Sequence, residues 1–361
     1  MNLLRTYSGS KDCQRKRFLI PEERRGREDL QFETLVAFRT IRSVNQSMSR
    51  REFLAVSGLA LAGAALHGCA TADSVPHDEP IIDIHQHVNY SGRPDDVLIA
   101  HQRAMGITTT ILLPAGRPLN TASTHNGNSN GLAAKCAGNE ACYEIAKAHP
   151  KEFRFAANEV PDIEGAAAEI ESYLKLGAVM IAEQKFGVEC DSAAMQRIYQ
   201  LAQAYRVPVL MHWQVQTYNL GFERFYKMLE KYPRVNFIGH AQTWWANVDK
   251  NNKDDAKKLY PKGPITPGGL TERYLSDYPN MFGDLSAGSG LNALTRDETF
   301  TSGFFQRHQD KLLYGSDCND HDGFGEKCQG AKTIAAVRRF APGKQIERKL
   351  VFGNAKKLLR V

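Results

Sequence analysis

Histidine and aspartate recur at the ends of apolar runs in this chain, and that placement suits metal chemistry. The run from Ile81 to Val88 contains Asp83-Ile84-His85-Gln86-His87 and reads as a buried β-strand. Strand side chains alternate faces, so His85 and His87 point the same way and could grip one cation. Three further runs end in ligand types: Val207–Met211 leads into His212, Val235–Gly239 into His240, and Lys311–Ser316 into Asp317. A lone His-x-His is as readily satisfied by core hydrogen bonds. Four strand ends carrying His, His and Asp together point to a metal site. Nitrogen and oxygen ligands around an open position match catalytic zinc, so one or two divalent ions, zinc by default, are expected.

Those ends need elements to hold them. Apolar runs fall at Ile81–Val88, Thr108–Pro114, Phe153–Asn158, Val179–Gln184, Pro208–His212, Val235–His240, Met281–Leu285 and Lys311–Ser316. Helix-like spacing fills the gaps at Val97–Met105, Ala141–His149, Gly165–Leu176 and Ala193–Tyr205. It recurs at Phe222–Lys231, Leu270–Tyr278, Phe300–Gln309 and Ile334–Phe340. Eight strand–helix units predict an α/β fold, a (β/α)8 TIM barrel spanning residues 80–361. An open doubly wound sheet is the rival, but no G-x-G-x-x-G follows the first strand. In barrels of this kind, reacting groups stand at the C-terminal strand ends, where the five ligand candidates fall.

Two long loops are expected on that face. Gly116–Asn139 is dense in Asn, Ser, Thr and Gly, and its His125 reads as a surface residue. Ala241–Gly269 opens with Gln242-Thr243-Trp244-Trp245. Trp213 and Trp244, with Trp245 and Tyr218, could wall a pocket for an aromatic or cyclic small molecule. Core packing is the alternative reading.

The motifs D-I-H-Q-H at 83–87, L-M-H-W at 210–213, F-I-G-H at 237–240, L-Y-G-S-D at 313–317 and V-F-G-N-A at 351–355 resemble the amidohydrolase superfamily. Within it they are similar to the amidohydrolase-related group, family 2. The resemblance runs from about Ile81 to the C-terminus. It implies a metal-dependent barrel, usually hydrolytic, with some members that decarboxylate or hydrate. By position, His85, His87 and Asp317 would hold one metal, and His212 and His240 a second. A glutamate or carboxylated lysine would bridge them, which here means Glu183 or Lys185, with Glu183 preferred and Lys185 then free to contact substrate. If the Glu183–Lys185 pair is only a salt bridge at the barrel mouth, the site holds one metal and His240 acts on substrate. Asp317 would be the catalytic acid–base, relaying a proton from an activated water to the leaving group. Asp284 would orient a ligand histidine or cap a following helix.

The leading functional expectation is hydrolysis of a C–N or C–O bond in an amide, ester or lactone. A single-metal decarboxylase or hydratase of a conjugated acid is the alternative. A non-enzymatic ligand-binding lipoprotein is the third, and the intact Asp317 argues against it.

The N-terminal part reads differently. Residues 1–47 are polar and arginine-rich without a steady period and are expected to be an extension outside the fold, disordered or non-native. Ser49-Arg50-Arg51-Glu52-Phe53-Leu54 opens a twin-arginine signal over 48–72, with a short apolar stretch from Ala55 to Leu66. Leu66-His67-Gly68-Cys69 resembles a lipobox, so a lipidated Cys69 would tether an exported protein to a membrane. Ala70-Thr71-Ala72 offers ordinary cleavage to a periplasmic form instead. The net charge of +6 belongs mostly to this region. The first 68 residues carry 12 Lys and Arg against seven Asp and Glu, leaving 34 against 33 for the remainder. With no basic stripe, nucleic acid is not an expected partner. Of the later cysteines, Cys136/Cys142 and Cys318/Cys328 lie close enough in sequence to bridge after export, leaving Cys190 as a free thiol.

Overall fold

A computed structural model describes residues 79–117 and 135–361. The signal segment, Cys69, His125 and most of the Asn-rich loop lie outside the described residues.

Eight strands follow in order: β1 Ile82–Gln86, β2 Thr109–Leu112, β3 Phe153–Phe155, β4 Ile181–Gln184, β5 Val209–His212, β6 Phe237–His240, β7 Met281–Asp284 and β8 Leu312–Leu313. They pair in parallel as β1-β2-β3 and β4-β5-β6-β7-β8. Both remaining seams are hydrogen-bonded. Ala157 bridges Ile181, and the Ala182 amide reaches the Ala157 carbonyl at 3.0 Å. Across the other seam the Ile84 amide meets the Tyr314 carbonyl at 3.1 Å, and the Asp317 amide meets the His85 carbonyl at 2.8 Å. The sheet therefore closes on itself as a TIM barrel.

One apolar cluster draws on seven strands and on Ala156 just past β3: Ile82, Ile84, Ile111, Leu113, Ala156, Met180, Ala182, Leu210, Ile238, Phe282 and Leu313. A set drawn from all around the sheet in this way is the barrel interior. A second cluster, with Leu112, Phe155, Ile181, Val209, Met211, Phe237, Met281 and Leu312, lies between the strands and the helices.

The helices are α1 Asp95–Ala104, α2 Asn139–Ala148, α3 Ala166–Lys175, α4 Ala193–Tyr205, α5 Tyr226–Lys231 and α6 Ala241–Ala246. They continue with α7 Leu270–Asp277, α8 Ala287–Thr295, α9 Glu298–His308, α10 Gln329–Phe340, α11 Lys344–Arg348 and α12 Asn354–Leu359. Local chemistry sets several starts. The Ser192 hydroxyl accepts from the Met195 amide to cap α4, and the Asp297 carboxylate does the same for Phe300 at α9.

Two expectations shift. The eighth strand is far shorter than Lys311–Ser316, because the chain beyond Leu313 turns to other partners. The Tyr314 amide bonds to the Leu350 carbonyl at 2.9 Å, and the Ser316 amide bonds to the Asp83 carboxylate at 2.9 Å. The long loop after β6 begins as a helix, α6, whose residues are nearly all buried.

Candidate metal centre

Each barrel strand end presents its ligand for a local reason. On β5 and β6 plain alternation works, since Leu210 and Ile238 point inward, and so do His212 and His240. Asp317 lies four residues past β8, where its amide is held by the His85 carbonyl at 2.8 Å. On β1 alternation does not work: Ile82 and Ile84 face the interior, so His85 and His87 would face out. The strand register breaks between Asp83 and Gln86. There the Asp83 carboxylate accepts the His85 amide at 3.0 Å, and both imidazoles turn into the barrel. Strand β4 has a similar break between Ile181 and Gln184, which lets Glu183 point inward after Met180 and Ala182.

The six side chains meet. His85 Nε2 and His87 Nε2 lie 3.2 Å apart. Glu183 Oε2 stands 3.5 Å from His85 Nε2 and 3.6 Å from His87 Nε2. Asp317 Oδ1 stands 3.6 Å from His87 Nε2 and 3.9 Å from His85 Nε2. For bonds of about 2.0–2.2 Å to a shared ion, adjacent ligand atoms should lie roughly 3.0–3.5 Å apart, close to what these four atoms show. The other Glu183 oxygen, Oε1, turns to the second pair. It is 3.6 Å from His240 Nε2 and accepts a short hydrogen bond from His212 Nδ1. The Glu183 carboxylate thus spans both histidine pairs.

Outer partners fix which nitrogen is free. The Leu113 carbonyl can only accept, so His87 Nδ1 donates to it at 2.8 Å and leaves the Nε2 lone pair exposed to the site. Asp284 Oδ2 takes His85 Nδ1 at 2.7 Å and stands 3.1 Å from His240 Nδ1. The Asp284 carboxyl is held below the usual range, since hydrogen bonds from His240 and His85 outweigh burial. One buried aspartate therefore aims two ligand nitrogens. Burial pulls His87 down to about 4, helped by the charge on His85. Burial, with Lys185 nearby, does the same for His212. Both are then neutral at neutral pH, the form that ligates a cation.

Burial would push Glu183 up, but Lys185 and His212 hold it well below the usual carboxylate range. Burial likewise opposes the charge on Lys185, and Glu183 and Asp317 overcome it, raising the ammonium. Its Nζ lies 5.7 Å from the Tyr218 ring centroid. Two buried atoms at the centre, His240 Nε2 and Asp317 Oδ1, have no hydrogen-bond partner among the described residues, and neither has His212 Nε2, the ring nitrogen that does not face Glu183. Orphaned lone pairs beside two carboxylates are the donor set a divalent cation requires. Two overlapping groups, His85/His87/Asp317 and His85/Glu183/His240, each lie close enough to hold an ion, with His85 common to both.

The tryptophans stand elsewhere. Trp213 follows His212 and so faces the opposite side, packed on Phe222 and Phe225 with ring centroids 5.0 and 4.8 Å away. Trp244 is fully buried on the helix side, its ring lying against Gly239. Neither walls a pocket beside the imidazoles. The chain has instead supplied residues that the motif reading passed over. Tyr90 packs edge-on to His87 at 5.1 Å, and the negative charge of Asp317, together with burial, drives its phenol pKa up. Ser286 Oγ sits 3.1 Å from His240 Nδ1 and 2.7 Å from Asp284 Oδ2. The one sequence signal for Tyr90 is its position three residues past His87. Asp284 does not cap α8; Ser286 occupies that position.

No protein-family model matches the sequence, and no curated protein matches it. Solved structures do match, each over 78% of this chain. One is a probable 2-pyrone-4,6-dicarboxylic acid hydrolase from Acinetobacter baumannii with citric acid bound, at TM-score 0.51 and 14% identity over 99% of its length. Another is an uncharacterized TIM-barrel protein from Bordetella bronchiseptica, at 0.52 and 15% over 98%. A third, described as amidohydrolase II, gives 0.51 and 18% over 100%. At such identities the likeness establishes the barrel fold.

Proposed function

We propose that this chain is a metal-dependent enzyme of the amidohydrolase type that hydrolyses a C–N or C–O bond of a small molecule. The observation that carries the reading is Glu183 spanning two histidine pairs, one carboxylate oxygen to each. A divalent cation bound there, zinc by default, would supply Lewis acidity, making water a better nucleophile and polarising the scissile carbonyl. The protein's own residues do the rest. Asp317, at the mouth and 15% exposed in its side chain, holds or passes the proton between the attacking water and the leaving group. Tyr90 stands beside the same carboxylate, whose charge keeps its phenol protonated. The Lys185 ammonium offsets the negative charge that Glu183 and Asp317 bring, and can meet an anionic group of the substrate. The Acinetobacter protein, described as a probable 2-pyrone-4,6-dicarboxylic acid hydrolase, is in keeping with a cyclic ester or acid as substrate.

A specific contact favours a second reading. The direct hydrogen bond from His212 to Glu183 occupies the nitrogen that would complete a second site. That arrangement suits one ion and a decarboxylating or hydrating reaction, with His240 acting on substrate. Metal analysis of the purified protein and of Glu183→Gln separates the two. Two ions falling to one in the variant, with turnover of a lactone, ester or amide, is the expected result. One ion in both proteins, with turnover only of carboxylic acids, would replace hydrolysis by the alternative. No activity in Asp317→Asn is expected; full activity there removes the proton role.

We further propose export by the twin-arginine route with lipidation at Cys69. Detergent-phase partitioning of the native protein is the check, and an aqueous-phase protein removes the anchor.

A further inference from the structure

We propose that His101, Cys318 and Cys328 form a second metal site, apart from the imidazole–carboxylate centre, that takes a thiophilic cation such as zinc. The three come from separate elements. His101 lies on α1, Cys318 directly follows Asp317 in the loop after β8, and Cys328 is the residue preceding α10. All three are buried, at 0%, 3% and 0% exposure. Their ligand atoms fall within 4.8 Å of one another. Cys318 Sγ and Cys328 Sγ are 3.9 Å apart, and Cys328 Sγ is 3.6 Å from His101 Nε2.

Those spacings are what a tetrahedral ion demands. With zinc–sulfur bonds of about 2.3 Å and zinc–nitrogen bonds of about 2.0–2.1 Å, a tetrahedral angle sets S···S at roughly 3.8 Å and S···N at roughly 3.5 Å. A fourth soft donor is at hand. Met105 Sδ lies 3.6 Å from Cys328 Sγ, four residues past His101 and just beyond the end of the same helix. The surroundings of His101 point the same way. Its Nδ1 has no hydrogen-bond partner among the described residues, and its Nε2 faces sulfur, so no oxygen accounts for burying this ring. Binding would release the thiol protons to solvent, and two thiolates would cancel a divalent charge, which lets the ion sit out of water.

The consequence reaches the first centre. The loop carrying Asp317 is already tied down by Arg93, which donates to the carbonyls of Cys318 at 3.0 Å and Asp320 at 2.9 Å. A bound ion would staple it to α1 as well, holding Asp317 against His85.

The two centres differ in donor type, so they can be told apart. Cobalt(II) titrated into reduced, metal-stripped full-length protein should give a thiolate-to-cobalt charge-transfer band and the strong visible bands of tetrahedral cobalt. The band should survive Cys136→Ser, which removes a thiol outside the trio that feels the charges of Asp317 and Glu183, and disappear in Cys328→Ser. X-ray absorption at the zinc edge of the wild-type protein should show sulfur scatterers at about 2.3 Å, two per chain when averaged over all bound zinc, which decides the matter even if the cysteine variant fails to fold. Free thiols with no charge-transfer band, a band that persists in Cys328→Ser, or a zinc edge with only nitrogen and oxygen neighbours would each overturn the site. So would a Cys318–Cys328 disulfide that, once reduced, takes up no cobalt.

Discussion

At the scale of the residue, the centre depends on side chains that never touch a cation. Asp284 accepts from His85 and stands beside His240, so it sets the direction of two ligands at once. Replacing it with asparagine removes the charge and lets the amide present a donor to one imidazole. Metal affinity should then fall by about 10–100-fold, the usual cost of losing an outer partner. Competition against a chelator measures this, and an unchanged dissociation constant would show that Asp284 merely packs. Gly315 is tied to the same geometry. A Cβ there would lie 2.5 Å from Asp284 Oδ1 and 2.9 Å from His85 Cβ. Gly315→Ala should therefore weaken metal binding too, through displacement and with no change in charge. An alanine variant with full metal affinity would mean that the Asp284–His85 pair can give way.

At the scale of the element, period and turn chemistry made most strands legible, while side-chain direction was legible only in part. Val209–His212 and Phe237–His240 obey alternation, so their last residues could be assigned an inward face from spacing alone. His85, His87 and Glu183 could not. Each lies within or just past a register break, and at β1 the Asp83 carboxylate accepts the His85 amide inside that break. Such a break leaves no mark in hydrophobic period. Trp244 fails as a pocket residue for a related reason. Helix α6 follows β6 without a spacer and folds its tryptophan back onto the strand it leaves. The fit is close, since a Cβ on Gly239 would come within 2.3 Å of the indole. Gly239→Ala should destabilise the fold by about 1–3 kcal/mol, the range for overpacking a filled core. Thermal unfolding checks it, and an unchanged midpoint would show slack between α6 and β6.

At the scale of the whole molecule, eight short strands hold together because the outer helices are fastened to one another as well as to the barrel. Glu272 of α7 is one such fastening. It is 7% exposed, pairs with Arg307 and stands 3.8 Å from His308, both on α9, and accepts the Gly268 amide at 2.6 Å. Burial alone would raise its carboxyl. The neighbouring His308 ring, the Gly268 amide and the Arg307 guanidinium prevail and bring it down to about 2. A carboxyl lowered on folding stabilises the native state above its unfolded value near 4.5, and that contribution drains away as pH falls toward 2. The full contribution is on the order of 2–3 kcal/mol. Glu272→Gln should thus cost about that much at pH 7, and the gap to wild type should close as the pH drops from 4.5 to 2. Denaturant unfolding of both proteins across that window gives the answer. A gap that stays constant with pH would mean the variant loses packing and not charge, leaving the α7–α9 junction apolar in origin.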